Sequence, residues 1–88
     1  MSFNVKEYFS KLPDEVEVIY LFNKNLTYIP DLSRFKNLQQ LYIRNNQLTE
    51  LPTLPNTLTH LYCYNNHLTV LPKLPNGLTY LDCHNNQL

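Results

Sequence analysis

The chain has no excess of charge, no long apolar run and almost no cysteine, and each shortage removes a class of function. Seven Lys plus Arg against seven Asp plus Glu leave a formal net charge of zero. The basic residues Lys6, Lys11, Lys24, Arg34, Lys36, Arg44 and Lys73 are scattered along the sequence. Binding to nucleic acid or to an anionic membrane draws on concentrated positive charge, so neither is expected as a partner. No apolar stretch approaches the roughly 20 residues that cross a bilayer. The N-terminus mixes Lys6 and Glu7 into its first turn instead of placing a basic segment before an apolar one. Both absences predict a chain without signal peptide or transmembrane segment, placed in the cytoplasm. Two cysteines, Cys63 and Cys83, are too few for a disulfide framework. Asn25, Leu26 and Thr27 match the glycosylation acceptor pattern, but without a secretory signal this is read as chance in an Asn-rich chain.

What the sequence does contain is one phrase said three times. Leu38, Leu41, Ile43, Asn46 and Leu48 recur as Leu58, Leu61, Cys63, Asn66 and Leu68, then as Leu78, Leu81, Cys83, Asn86 and Leu88, without a gap. A fixed period of this length is the signature of stacked repeats, and it sets the architecture before any single residue is considered. Val16, Ile19, Leu21 and Leu26 form a degenerate earlier copy in which Lys24 stands where the others have Asn. In 88 residues the buried fraction is small, so contacts between repeats must supply most of the core.

Ahead of the repeats, Val5, Tyr8, Phe9 and Leu12 are spaced as one stripe of a helix over residues 2–12. Asn4 with Glu7 can form a capping box, and Pro13 ends the helix because the residue before a proline is pushed out of the α region. This helix is expected to cover the first repeat. The first return stretch, from Leu26 to Asn37, is two residues longer than the later ones; Leu32 and Phe35 after Asp31 suit a single helical turn there. The later returns carry Pro52 with Pro55 and Pro72 with Pro75. Paired prolines fix φ and remove donors, so these returns should run extended, in the manner of polyproline II. Leu54 and Leu74 between the prolines are expected to be buried, which outweighs a reading of Pro-x-x-Pro as a ligand for a proline-recognising domain.

The L-x-x-L-x-[I/C]-x-N-N-x-L pattern resembles the leucine-rich-repeat family over residues 16–88, with the cap in front. The resemblance implies an α/β solenoid with a short parallel sheet on its concave face and an extended convex side. The domains expected are a cap at 1–15 and repeats at 16–37, 38–57, 58–77 and an incomplete 78–88. The twenty-residue form with L-P-x-L-P returns looks like two groups of the family. One comprises the repeat regions of secreted bacterial effectors, some joined to a ubiquitin-ligase domain. The other comprises Cys- and Asn-rich repeat proteins of large DNA viruses of amoebae, toward which Leu61-Tyr62-Cys63-Tyr64-Asn65-Asn66 leans. These 88 residues hold no ligase domain, so that activity is not carried over.

In a strand successive side chains alternate faces, which splits each repeat into two sets. Leu41, Ile43 and their equivalents point inward. Asn46, Asn66 and Asn86 sit where the chain leaves the strand, and are expected to form a structural ladder, bonding backbone groups of their own turn and of the next repeat. The outward set falls into columns: Val18, Gln40, His60, Tyr80; Tyr20, Tyr42, Tyr62, Asp82; and Phe22, Arg44, Tyr64, His84. The family's concave face is its usual binding surface. Contiguous Tyr, Phe and Arg have the composition of an interface hot spot, although stacked tyrosines also pack merely to cover a sheet. The candidate protein-binding set is Tyr20, Phe22, Tyr42, Arg44, His60, Tyr62, Tyr64, Tyr80, Asp82 and His84.

Chemistry is harder to place. His60 and Cys63 are an odd number apart, and Cys83 and His84 are adjacent, so neither pair converges on one metal ion. No metal or cofactor is expected. Cys63 and Cys83 face inward on neighbouring strands and are read as buried thiols. Asp82 and His84 could pair as orienter and base, but the nearest cysteine lies on the other face and an open sheet lacks an enclosed pocket. The chain is therefore expected to be a non-catalytic protein-interaction module. The alternative is a structural component of a larger assembly, such as a minor capsid or virion protein of a large DNA virus, located in the host cytoplasm or the virion. Leu88 ends the sequence eleven residues into the last repeat. That would leave one edge of residues 79–84 open to another surface or to self-association.

Overall fold

A computed structural model of the chain describes residues 3–88; Met1 and Ser2, which open the expected 1–15 cap, lie outside the described residues. Helix α1 spans Val5–Ser10. The Asn4 side chain accepts the Glu7 backbone N–H at 3.0 Å, as an N-cap should. Glu7 turns forward to Lys11, at 3.3 Å, rather than back onto Asn4. Val5 and Phe9 are buried, while Tyr8 and Leu12 pack part-buried on the same core.

Four short parallel strands follow, β1 Val18–Tyr20, β2 Gln40–Tyr42, β3 His60–Tyr62 and β4 Tyr80–Asp82, paired in sequence order. Their register has no slip: Ile19, Leu41, Leu61 and Leu81 are successive partners, as are Val18, Gln40, His60 and Tyr80. The repeat period dictates this, because each copy places the same residue at the same height. Ile19, Leu41 and Leu61 are 0% exposed, whereas Leu81, with a strand on one side only among the described residues, is 37% exposed.

The later returns, 51–55 and 71–75, adopt neither helix nor strand, in keeping with their prolines, and Leu54 is buried beneath the first of them. The first return differs from expectation. Instead of a helical turn it makes two successive tight turns, with the Phe35 N–H donating to the Leu32 carbonyl at 3.1 Å and the Leu38 N–H to the Phe35 carbonyl at 3.4 Å. Asp31 does cap, accepting the Ser33 N–H at 2.6 Å, and hydrogen bonding from Ser33, through its side chain first and its backbone second, holds the carboxyl below the usual range. The two extra residues let both Leu32 and Phe35 turn inward, where Phe35 meets Phe9 of α1 edge-on at 5.6 Å.

Arg34 fastens the cap from outside. Its guanidinium donates to the Phe9 and Leu12 carbonyls, each at 2.7 Å, and to the Asp14 carboxylate at 2.8 Å, while lying 4.2 Å above the Phe35 ring. It thereby adds a side-chain donor to the Phe9 carbonyl, which also accepts the Leu12 N–H at 3.1 Å, and to the Leu12 carbonyl just beyond α1.

Two ladders of asparagine run up the turn after each strand. In the inner one, Asn66 Oδ1 accepts the Leu48 N–H at 3.0 Å, and its Nδ2 donates to the Ile43 and Cys63 carbonyls, both at 3.0 Å. Asn46 and Asn86 repeat this arrangement one step on either side. The side chain reaches back to the preceding repeat, not forward to the next as expected. This accounts for Lys24: the first repeat has no earlier turn to satisfy, and its ammonium instead sits 5.0 Å from the Phe3 ring on the cap.

The outer ladder was not anticipated. Asn45, Asn65 and Asn85 have φ of 57°, 59° and 54°, the left-handed region that Asn tolerates better than most residues. Asn65 Nδ2 donates to Asn45 Oδ1 at 2.6 Å, and Asn85 Nδ2 to Asn65 Oδ1 at 2.7 Å. One asparagine of each pair turns the backbone; the other satisfies it.

Candidate protein-interaction face

Zero slip in the sheet has a direct consequence for its outer surface. Strands about 4.8 Å apart bring identical outward rings to stacking distance. Tyr20 and Tyr42 stack with centroids 4.9 Å apart, and Tyr42 and Tyr62 at 4.3 Å with planes 8° apart. Asp82 supplies no ring at the next step. Tyr80, from the neighbouring column, lies against Tyr62 instead, at 5.0 Å, and also stacks at 6.1 Å on His60. The third column forms a second pile: the Arg44 guanidinium lies 4.4 Å from the Phe22 ring and 5.9 Å from Tyr64, and Tyr64 stacks on His84 at 4.6 Å. Tyr20 and Phe22 join the two piles edge to face at 6.4 Å. All ten candidate residues therefore lie on one surface.

Face-to-face stacking uses up the ring faces internally. What the surface offers is a row of ring edges and phenol hydroxyls, with freer rings at the ends, where Tyr20 is 55% and Tyr80 47% exposed. The Tyr42 hydroxyl donates to Gln40 Oε1 at 2.8 Å, which adds Gln40 to the face. Thr59 Oγ1 and His60 Nδ1 are hydrogen-bonded at 2.8 Å. Burial between its neighbours, followed by the adjacent Tyr42 hydroxyl, raises the Tyr62 phenol above the ordinary tyrosine range.

Asp82 and His84 are paired through His84 Nδ1. Cys83, between them in sequence, packs against the core on the opposite side. Cys63 is buried and Cys83 part-buried, both as free thiols. Among the described residues, no three His, Cys, Asp or Glu side chains are grouped closely enough to hold a metal ion, and no helix is long and apolar enough to cross a membrane.

The pattern described as Leucine Rich repeats (2 copies) matches residues 14–56, and that described as Leucine Rich Repeat matches residues 57–78. The protein phosphatase 1 regulatory subunit SDS22 of Schizosaccharomyces pombe is 38% identical over 50 residues, covering 54% of this chain and 15% of that protein. The structure of YopM from Yersinia enterocolitica WA-314 superposes with a TM-score of 0.81 at 36% identity, covering 96% of this chain and 18% of that one. The chain thus spans less than a fifth of the length of either relative.

Proposed function

The chain belongs to the leucine-rich-repeat family, and from that premise we propose that it is a non-catalytic protein-interaction module whose partner docks on the aromatic sheet face, the concave face in this family. The observation that carries the reading is the double pile of outward rings. Covering the sheet would call for apolar bulk, yet this surface combines tyrosine hydroxyls, a guanidinium and two imidazoles in one contiguous patch. Large amphipathic side chains already held in place lose little freedom on binding, which suits them to recognition. The similarity to a regulatory subunit of protein phosphatase 1 supports a protein as the partner. Neither relative is described as a virion or capsid component, so the structural alternative gains no support from them. The domain division is a cap at 1–15 followed by repeats at 16–37, 38–57, 58–77 and 78–88.

The test is affinity capture from native extract with the wild-type chain, a Tyr62→Ala/Tyr64→Ala variant, and Val70→Ala as a control on the return side. A polypeptide retained by wild type and control but lost with the double variant supports the reading. Equal retention by all three would sink it.

A further inference from the structure

Arg44, two residues beyond the end of β2, is the only Lys or Arg in the three outward columns. Its guanidinium lies over the Phe22 ring at 4.4 Å and reaches toward the Tyr64 ring at 5.9 Å, so two aromatic neighbours flank it. The side chain is half-buried, and its N–H donors lie in one plane. Among the described residues it makes no side-chain hydrogen bond and no salt bridge. The other arginine is engaged within the chain: Arg34 Nε donates to Asp14 and its Nη2 to two carbonyls. Asp82, the one carboxylate at the outward strand positions, is taken by His84. The face therefore carries one fixed, half-buried cation without a counterion, set in a row of ring edges.

From this, and resting on the docking reading above, we infer that Arg44 is the anchor for a carboxylate of the partner, an Asp or Glu side chain on an extended segment lying across the tyrosine pile. A guanidinium flanked by rings and with its N–H donors unpaired matches a carboxylate in two parallel N–H···O bonds. The flanking rings exclude water and lower the local dielectric, so the pair is worth more there than on an open surface. Pre-stacking also means that no side-chain freedom is lost when the acid arrives. A neutral partner would leave the guanidinium edge desolvated and unpaired, so the same arrangement discriminates against it.

The experiment selects short random peptides on phage against the immobilised full chain, then measures resynthesised peptides against wild type, Tyr62→Ala and Arg44→Met. Methionine keeps an apolar body between Phe22 and Tyr64, and a melting curve checks that each variant is folded. The expected result is a set of peptides that lose affinity for Tyr62→Ala and share one acidic position. Converting that acid to its amide should weaken binding to wild type by roughly tenfold or more, and should barely change binding to Arg44→Met. Peptides that need Tyr62 but share no acid, or an acid-to-amide loss of equal size on Arg44→Met, would overturn the Arg44 assignment and leave the docking face standing. Peptides that bind Tyr62→Ala as well as wild type would overturn both.

Discussion

Leu48 and Asn66 lie in successive repeats, and the backbone N–H of Leu48 donates to the Asn66 side-chain oxygen at 3.0 Å inside the core. The same amide donates to three carbonyls, those of Ile43, Cys63 and Tyr64. Asn66→Leu should therefore cost about 1–3 kcal/mol, because the buried Leu48 N–H loses its partner, while the Ile43 and Cys63 carbonyls are left with Asn46 and Asn86 as their remaining side-chain donors. In a chain of this size that corresponds to a fall of roughly 4 °C or more in melting temperature. An unchanged melting curve would contradict the ladder.

The outer ladder makes a separate prediction. Asn65 sits at φ 59°. Asn65→Val should cost about 1–2 kcal/mol, because a β-branched side chain clashes in the left-handed region. Asn65→Gly should cost less, since it accepts the backbone and gives up only exposed hydrogen bonds. Thermal melting of the pair decides it by their order.

Arg34→Met removes two bonds to carbonyls at the end of α1 while keeping apolar cover on Phe35. Its expected cost is about 1 kcal/mol, discounted because the side chain is partly exposed. Hydrogen exchange should quicken in residues 5–12 and stay unchanged in β2 and β3. Uniform quickening would mean that the cap and the repeats open together.

Burial, reinforced by Cys83 and Asp82, pushes the Cys63 thiol from an ordinary value of 9.0 up to about 12. The folded pKa lies above the unfolded one, so folding favours the neutral thiol. That contribution is complete below about pH 9 and is lost as the pH climbs toward 12. Melting temperature should fall over this window, and Cys63→Val should flatten the fall. At pH 8 a thiol reagent should label Cys83 and spare Cys63 until denaturant is added.

The parts of the fold that repeat were readable before the structure, and the parts that occur once were not. Leu41, Leu61 and Leu81 recur at one spacing, and that spacing carries strand, register and core together. The turn at Asp31 to Asn37 occurs once, and the helical spacing of Leu32 and Phe35 equally suits two tight turns that bury the same side chains. Arg34 looked like one more scattered charge because its main partners are carbonyls, which no sequence pattern marks. The first member of each Asn-Asn doublet carries its signal in the sequence too: a residue tolerant of positive φ stands at every turn in a chain with a single glycine. On the outer face the columns placed the candidate residues together. The shift of Tyr80 onto Tyr62 depends on the gap left by Asp82, which a column list does not show.

The backward reach of the inner asparagines also bears on how such a chain can change in length. Asn46, Asn66 and Asn86 each address only their own turn and the one before. A twenty-residue block copied or excised in frame would find every donor and acceptor it requires in whichever neighbour it meets. The tyrosine pile would grow or shrink by one ring in the same event. Duplication of a single segment would then extend the surface without redesigning it, and residues such as Asp82 and Arg44, which interrupt the copy, record where one block has departed from the others.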